Sequence, residues 1–257
     1  MRATASTLSP ERIRGFTLVE IAIAIFIITI LLGSILVPLT TQVEQRQVSE
    51  SQKMLEDIKE ALVGHSIAKG HLPCPDRTSG GTGGTNDTAN DGVEDFSGGA
   101  CIGSISGAGS TLRAVGNVPW QTLGVHAADP WGDRFRYVVD MEFSNRPPSA
   151  FGLASSADLG VCTSASCAAR LTALAPDGAV AVVISHGRNG YGAINALTGT
   201  ARPNPTSPDE LDNLGGSTYT SRAITSVGSG AGEFDDIVTW LGKYTIFHRM
   251  VAAGKLP

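Results

Sequence analysis

The sequence predicts an α+β protein in which a long N-terminal helix packs on an antiparallel β-sheet head that ends in a C-terminal helix. Apolar residues fill the early part of the chain almost without a break and then recur at helical spacing as far as Lys69. Beyond Gly70, short runs rich in β-branched residues alternate with segments rich in glycine and proline. That alternation is typical of strands joined by loops.

Composition excludes a chain that is disordered throughout. Of the 257 residues, 42% are hydrophobic and 17% are charged, which is enough apolar material to form a core. The formal net charge of −5 argues against general electrostatic binding to nucleic acid. We therefore expect no nucleic-acid partner.

The start of the chain divides into a basic leader, residues 1–15, and an apolar segment, residues 16–39, which we predict to be a transmembrane helix. Residues 21–39 include no charged side chain, and a helix of that length is about 28 Å long, close to the ~30 Å hydrocarbon core. Arginines before the segment favour a cytoplasmic N-terminus and an exported head. An ordinary secretory signal is the alternative, but no A-x-A cleavage site follows the apolar run.

Glu20 is the only charged residue in the segment 16–39. A carboxylate in lipid costs on the order of 2.5–3.5 kcal/mol on insertion scales, so it needs a partner. If the chain is cut after Gly15, Phe16 carries a free α-amine four residues from Glu20. Pairing between the amine and the carboxylate of neighbouring chains would neutralise both charges and fix the axial register.

The stretch R-G-F-T-L-V-E, followed by an apolar helix, resembles the N-terminal signal of type IV pilins and type II secretion pseudopilins. The resemblance implies cleavage after Gly15 by a prepilin peptidase and N-methylation of Phe16. It gives Glu20 the family's assembly role, in which the carboxylate pairs with the amine of a neighbouring subunit. It also implies a single-pass protein of the bacterial inner membrane with a periplasmic head. The implied partners are membrane lipid, other pilin or pseudopilin subunits and an inner-membrane assembly platform.

The helix is predicted to continue as an amphipathic segment over residues 40–70, so that one helix runs from about Leu18 to Lys69. Residues 71–257 are then the globular head. Within the head, residues 77–117 are rich in glycine and poor in large apolar side chains, and we expect them to form a long surface loop. The apolar positions at helical spacing are Val48, Leu55, Ile58 and Leu62.

Three segments of the head carry strand signals, and the last segment of the chain looks helical. The strand segments are 118–125, 129–143 and 179–197. Residues 179–184 form a continuous apolar run rich in β-branched side chains, which favours a central strand. In residues 233–257 we place Asp235 and Asp236 in the first turn of the helix, where the helix dipole favours acidic groups. The apolar face of this helix is predicted to include Ile237, Leu241, Tyr244 and Val251.

The four cysteines of an exported head predict disulfide bonds. Four cysteines permit three pairings, of which we favour Cys74 with Cys101 and Cys162 with Cys167. A zinc site is the alternative, but the sequence has no C-x-x-C spacing.

The head also resembles the major pseudopilin of type II secretion in DPWGDRFRYVV, VVISHGRNGYGA and FDDIVTW. In that family the last two stretches build a calcium site, so the resemblance implies Ser185, Asn189 and Asp236 as ligands. Asn189 stands where the family has an aspartate, and the lost charge should weaken binding of a hard cation. The alternative is that Asp236 only begins a helix and that Asn189 with Gly190 only makes a turn.

A second acidic loop is a further candidate for a cation site, although it departs from the EF-hand pattern at Ala89 and Gly98. Calcium is therefore the one cofactor that the sequence suggests. The acidic and amide residues of this loop are Asp87, Asn90, Asp91, Glu94 and Asp95.

We predict no enzyme. The chain has no G-x-S-x-G, G-x-G-x-x-G, P-loop or H-E-x-x-H motif. His186, in a glycine-rich turn, is the strongest candidate for a catalytic base, but single histidines are more often structural. The expected function is a structural subunit of a type II secretion pseudopilus or type IV pilus, minor because its head is long. The alternative is an adhesin or substrate-binding module displayed on the same stalk.

Overall fold

The structure, a computed structural model, describes residues 15–79, 88–102, 104–106, 112–147, 151–230 and 232–256, without the side chains of 34–40 and 104–106. The chain forms two compact units, Met1–Arg46 and Gln47–Pro257. The predicted leader, apart from Gly15, and Asp87 of the second acidic loop lie outside the described residues.

Helix α1 spans Leu18–Lys69, which confirms the bounds of the predicted helix. In the first unit, the side chains of residues 16–33 are exposed on every side of the helix. No helix in the described part of the chain is both long enough and apolar enough to cross a membrane. The transmembrane assignment of residues 16–39 stays a prediction.

In the second unit, α1 packs on the head through one apolar face. Leu55, Ile58 and Leu62 are at most 1% exposed and belong to the main hydrophobic core, as their spacing along the helix predicts. The helix ends at Gly70, which has a φ of +85°. Its amide donates to the carbonyl oxygen of Ser66 at 2.8 Å, so the last turn is closed in the usual way for a glycine-terminated helix.

The described head contains nine strands and four further helices. The strands are β1 Phe96–Ser97, β2 Ala100–Cys101, β3 Ser104–Ser106, β4 Arg113–Asn117, β5 Arg136–Asp140, β6 Gly160–Cys162, β7 Ala179–Ser185, β8 Thr218–Thr220 and β9 Ile237–Gly242. The helices are α2 Trp120–Leu123, α3 Met141–Ser144, α4 Pro208–Asp212 and α5 Lys243–Ala252.

The main sheet is antiparallel and has the strand order β3-β4-β5-β7-β9. Its strand β7 is buried along its whole length, which confirms the prediction of a central strand. Val182 of β7 lies opposite Val138 of β5 and Trp240 of β9. Two small pairs lie outside this sheet: β1 with β2 is antiparallel, and β6 with β8 is parallel.

The predicted loop 77–117 is shorter than expected, because its end forms β4 within the main sheet. Ala114 of β4 pairs with Val139 of β5 and is 1% exposed. The strand reads R-A-V-G-N, and its small residues gave no clear alternation of apolar and polar side chains. The strand prediction for 118–125 is wrong, because Pro119 has no amide to donate to a sheet and α2 begins directly after it.

The C-terminal helix begins at Lys243 and not near Asp235, so the predicted helical segment is wrong in its first part. The run I-V-T-W-L, residues 237–241, instead forms β9 along the edge of β7. Its β-branched and aromatic side chains favour an extended strand when a partner edge is available. The alternative in which Asp235 and Asp236 begin a helix is therefore wrong, since they precede a strand.

The buried face of α5 also differs from the predicted one. Tyr244 and Val251 are 64% and 47% exposed, whereas Ile246 and Met250 are at most 1% exposed. The predicted face is not formed because Ile237 and Leu241 belong to β9 and not to the helix.

Both favoured disulfides are present. Cys74 and Cys101 have their Cα atoms 5.2 Å apart, and those of Cys162 and Cys167 are 5.0 Å apart. No cysteine is left as a thiol for the zinc alternative. The first disulfide joins the segment after α1 to β2, and the second closes the turn that follows β6.

Candidate functional site

Helix α1 begins with a reciprocal pair of hydrogen bonds between Thr17 and Glu20. The Glu20 amide donates to Thr17 Oγ1 at 3.3 Å, and the Thr17 amide donates to Glu20 Oε2 at 3.5 Å. This arrangement is a capping box, which satisfies two amides that the first helical turn leaves without partners. The sequence interpretation sought only a partner for Glu20 on another chain and missed this role, although the spacing T-x-x-E is its usual signal.

The predicted processing point lies in the exposed segment that precedes α1. Gly15 has no heavy atom within 4 Å of the position that a Cβ would occupy, and Phe16 is 77% exposed. The peptide bond between them therefore joins two exposed residues and lies before the helix, which begins at Leu18.

Three carboxylates converge in the head where the connection between β7 and β9 ends. Glu210 comes from α4, and Asp235 and Asp236 come just before β9. Their closest oxygen atoms all lie within 4.8 Å of one another. As a metal ligand, the sequence interpretation named only Asp236 from this group. Nothing local in the sequence relates Glu210 to a strand that begins 27 residues later.

Burial and mutual repulsion raise the pKa of two of these acids, Glu210 and Asp235. Burial, followed by the charges of Asp236 and Asp235, raises the pKa of Glu210 to about 7. Burial is also the largest cause that raises the pKa of Asp235 to about 6, and the charge of Asp236 adds to it. Such a group favours either bound protons or a bound cation.

Of the three predicted ligands, the structure brings Asn189 and Asp236 to this group and not Ser185. The backbone amide of Asn189 donates to Asp235 Oδ2 at 2.8 Å. The side-chain Nδ2 of Asn189 donates to Glu210 Oε1 at 3.3 Å. Asn189 thus offers donors that relieve the repulsion. The Ser185 hydroxyl instead donates to Asp129 Oδ2 at 2.7 Å.

Asp236 is held from the inside of the head by His186 and Asn213. Its Oδ2 accepts from Asn213 Nδ2 at 2.8 Å, and its Oδ1 lies 3.2 Å from His186 Nδ1. The other ring nitrogen of His186 lies 3.1 Å from Arg136 Nε, which can only donate. His186 Nδ1 therefore carries the proton that is shared with Asp236. His186 is 1% exposed and links two partners, which is a structural role.

Arg136, on β5, connects His186 and the connection between β7 and β9 to the main sheet through hydrogen bonds. Its two terminal nitrogens donate to the carbonyl oxygens of Leu214 at 2.9 Å and Gly192 at 2.8 Å. With His186, the guanidinium thus binds three separate parts of the connection between β7 and β9. The acidic group is positioned by this buried chain of hydrogen bonds.

Residues 12–36 match the family model described as the prokaryotic N-terminal methylation motif. The chain carries a prepilin-type signal. This is the signal of type IV pilins and pseudopilins, and the matched residues include Gly15, Phe16 and Glu20. No curated protein and no solved structure matches the chain.

The prepilin-type signal implies a membrane-anchored pilin-type protein that is processed by prepilin peptidase and assembles with other pilin subunits. It supports a type IV pilin-like or pseudopilin subunit. It also points to a family of structural subunits that are not enzymes.

Proposed function

We propose that this chain is a minor structural subunit of a type II secretion pseudopilus or type IV pilus, and that it polymerises through α1. The observation that carries the proposal is the apolar surface of residues 16–33, which is exposed on every side, within a chain that bears the methylation motif. An apolar surface of this size needs lipid or neighbouring subunits to cover it. The long connection between β7 and β9 supports a specialised, minor subunit.

Assembly would replace one hydrogen-bond partner of Glu20 by another. Cleavage after Gly15 frees the α-amine of Phe16, which carries a positive charge. In a filament the amine of a neighbouring subunit competes with the Thr17 amide for the Glu20 carboxylate. The charged amine attracts the carboxylate as an opposite charge, which the neutral Thr17 amide does not, and the surrounding apolar side chains strengthen that attraction.

The decisive experiment measures the intact mass and the N-terminal sequence of the protein recovered from its native membrane. We expect a chain that begins at methylated Phe16 and that appears in sheared filaments. The matched control is Gly15→Val, which should retain the leader and form no filaments. A wild-type chain that still begins at Met1, or that is cut beyond Leu39, would contradict the proposal.

A displayed adhesin or substrate-binding module on the same stalk is the second candidate. Leu197 favours it, because this side chain is 94% exposed at a turn held by the Asn195 side chain, whose Oδ1 accepts from the amides of Leu197 and Thr198 at 3.1 Å. An apolar side chain fixed in this way suits insertion into a partner. Display needs processing but no polymer, so an abundant processed chain without filaments would favour this candidate.

We further propose that Glu210, Asp235 and Asp236 bind a calcium ion in the periplasmic head. Three carboxylates within 4.8 Å match the oxygen ligands that calcium prefers. The ion would neutralise their repulsion and hold α4 against the start of β9. Asn189 would lie beside the ion and orient Asp235 through its backbone amide.

Calcium should stabilise the protein more at pH 8 than at pH 5. The raised pKa values of Glu210 and Asp235 mean that the folded state holds protons at pH 5 that it loses as the pH rises past 6–7. Stability in EDTA should therefore fall over that range. Calcium in excess of its dissociation constant should restore about 1–3 kcal/mol at pH 8. Melting temperatures with and without calcium measure this difference.

The matched control for the calcium experiment is the double variant Glu210→Gln with Asp235→Asn. It keeps the side-chain volumes but removes the two titrating charges, so most of the calcium response at pH 8 should disappear. A response as large in the double variant as in the wild-type chain would contradict a calcium site at this group.

A further inference from the structure

One face of α5 is largely apolar and stays exposed in the single chain. Tyr244, His248 and Val251 recur at positions i, i+4 and i+7, so they lie on one side of the helix. Tyr244 and Val251 are 64% and 47% exposed. Apolar side chains at this spacing are typical of a helix face that packs against a partner.

This face forms part of a groove of about 470 Å³ on the surface of the head. Phe247, which is 7% exposed, belongs to the main hydrophobic core and also lines the groove. Leu153, which is 52% exposed, adds a further apolar side chain. We name this surface the α5 groove, and its residues are Leu153, Lys243, Tyr244, Phe247, His248 and Val251.

The charge of α5 is positive, since the helix contains lysine and arginine but no acidic residue. Two of the cations beside the groove already have partners, because Lys243 pairs with Asp177 at 2.9 Å and Arg249 pairs with Glu60 at 3.3 Å. Lys255 is exposed, and its backbone amide donates to a carbonyl oxygen in the last turn of α5 at 2.9 Å. The ammonium group of Lys255 is therefore a cation at the end of α5 that can pair with an acid on a partner.

A second cleft, of about 490 Å³, lies between α1 and the turn that follows α2. Leu123 and Val125 of that turn are partly buried against the main core and give the cleft apolar walls. Asp57 is the one acidic residue of the cleft, is exposed, and has no ion-pair partner within the part of the chain that the structure describes. We name this surface the α2 cleft, and its residues are Asp57, Ala61, Leu123, Gly124, Val125 and His126.

The α5 groove and the α2 cleft belong to opposite sides of α1. Glu60 pairs with Arg249 of α5, and Glu56 Oε1 accepts a hydrogen bond from β9 at 3.4 Å, so these two acids mark the α5 side. Asp57 and Ala61 line the α2 cleft, and the repeat of 3.6 residues places them on the other side of the buried face of α1. One copy can therefore use both surfaces at the same time.

We propose that the α5 groove of one copy docks against the α2 cleft of a second copy, with Lys255 facing Asp57. The two charges are complementary, and apolar side chains line both surfaces. Docking would remove the exposed apolar side chains of α5 from water. Because the two surfaces differ, the contact can repeat from copy to copy without closing on itself. The contact rests on the proposed polymerisation through α1, to which it adds a specific interface between heads.

Crosslinking of full-length chains in their native membrane tests this contact. All four native cysteines are in disulfide bonds, so an introduced cysteine is the only thiol. One tagged chain carries Val251→Cys, a second chain with a different tag carries Ala61→Cys, and a short bis-maleimide joins thiols that lie close together. We expect a mixed dimer that contains both tags, in the membrane and in sheared filaments. The matched control for Val251→Cys is Leu197→Cys, which replaces another exposed apolar side chain and should give no mixed dimer.

Charge reversal tests the predicted ion pair without disturbing the core, because Asp57 and Lys255 are both exposed. Asp57→Lys and Lys255→Glu, each present in both tagged chains, should lower the yield of the mixed dimer by roughly 2- to 5-fold. The two changes together restore opposite charges across the contact. The yield should then return to that of the starting pair.

The outcomes separate this contact from the proposed polymerisation. Filaments without the mixed dimer would overturn the contact alone, and a mixed dimer without filaments would support the contact and contradict polymerisation. If neither forms, both are overturned. The contact is also overturned if Leu197→Cys gives as much mixed dimer as Val251→Cys, if two Val251→Cys chains crosslink to each other instead, or if charge reversal leaves the yield unchanged.

Discussion

Replacing Glu20 by glutamine should leave cleavage after Gly15 intact and abolish filament assembly. Glutamine can still accept from the Thr17 amide, so the start of α1 survives. It carries no charge to pair with the amine of a neighbouring Phe16. Loss of a charge-assisted hydrogen bond costs about 1.5–3 kcal/mol, which weakens each subunit contact roughly 10- to 100-fold. A polymer multiplies that loss at every subunit.

Sheared filaments and the membrane fraction should be assayed together, so that processing and assembly are separated. Glu20→Ala is the companion variant, because it removes both the charge and the capping bond. We expect both variants to be processed and neither to assemble. If Glu20→Gln assembles normally and only Glu20→Ala fails, then the capping box matters and the inter-chain pairing is wrong.

Replacing Arg136 by methionine should lower the free energy of unfolding by about 3–5 kcal/mol. Methionine fills similar space but donates no hydrogen bond. His186 Nε2 and the carbonyl oxygens of Leu214 and Gly192 would lose their partner, and the connection between β7 and β9 would lose its three bonds to the sheet.

Urea unfolding of the full-length chain in detergent measures this loss, provided that the slope of the transition stays unchanged. Arg249→Met is the matched control, because Arg249 makes an exposed ion pair with Glu60 at 3.3 Å. An exposed pair contributes at most about 1 kcal/mol. Similar losses in the two variants would show that the hydrogen bonds of Arg136 add nothing beyond a surface charge.

Much of the fold could be predicted because strong local patterns coincide with the tertiary structure. The apolar repeat of α1 and the β-branched run of β7 are each long enough to decide the type of element. The same reasoning failed for residues 237–241, where a periodic apolar pattern fits a helix and a strand equally well. There the segment becomes a strand because the edge of β7 is available for pairing. No local feature of the sequence shows that this edge is available. Strand β4 was missed for the opposite reason, since R-A-V-G-N carries almost no pattern.

The sites divide in the same way. Gly15, Phe16 and Glu20 lie within one short motif, and the structure adds Thr17 from the same few residues. The acidic group could be predicted only through Asp236, because Glu210 reaches it from a separate helix. The burial of Asp76 could not be predicted either, since its backbone bonds to Asn117 join segments that are far apart in the sequence.

The connection between β7 and β9, residues 186–236, begins and ends at neighbouring positions of the sheet. Ser185 and Ile237 are register partners. The hydrogen bond between His186 and Asp236 joins the first and last residues of the connection. Closing a longer connection costs only about 0.6 kcal/mol for each doubling of its length. Insertions and deletions here can therefore accumulate during evolution without disturbing the sheet or the stalk. A lineage of such subunits can change what its heads touch while keeping the same machinery of export and polymerisation.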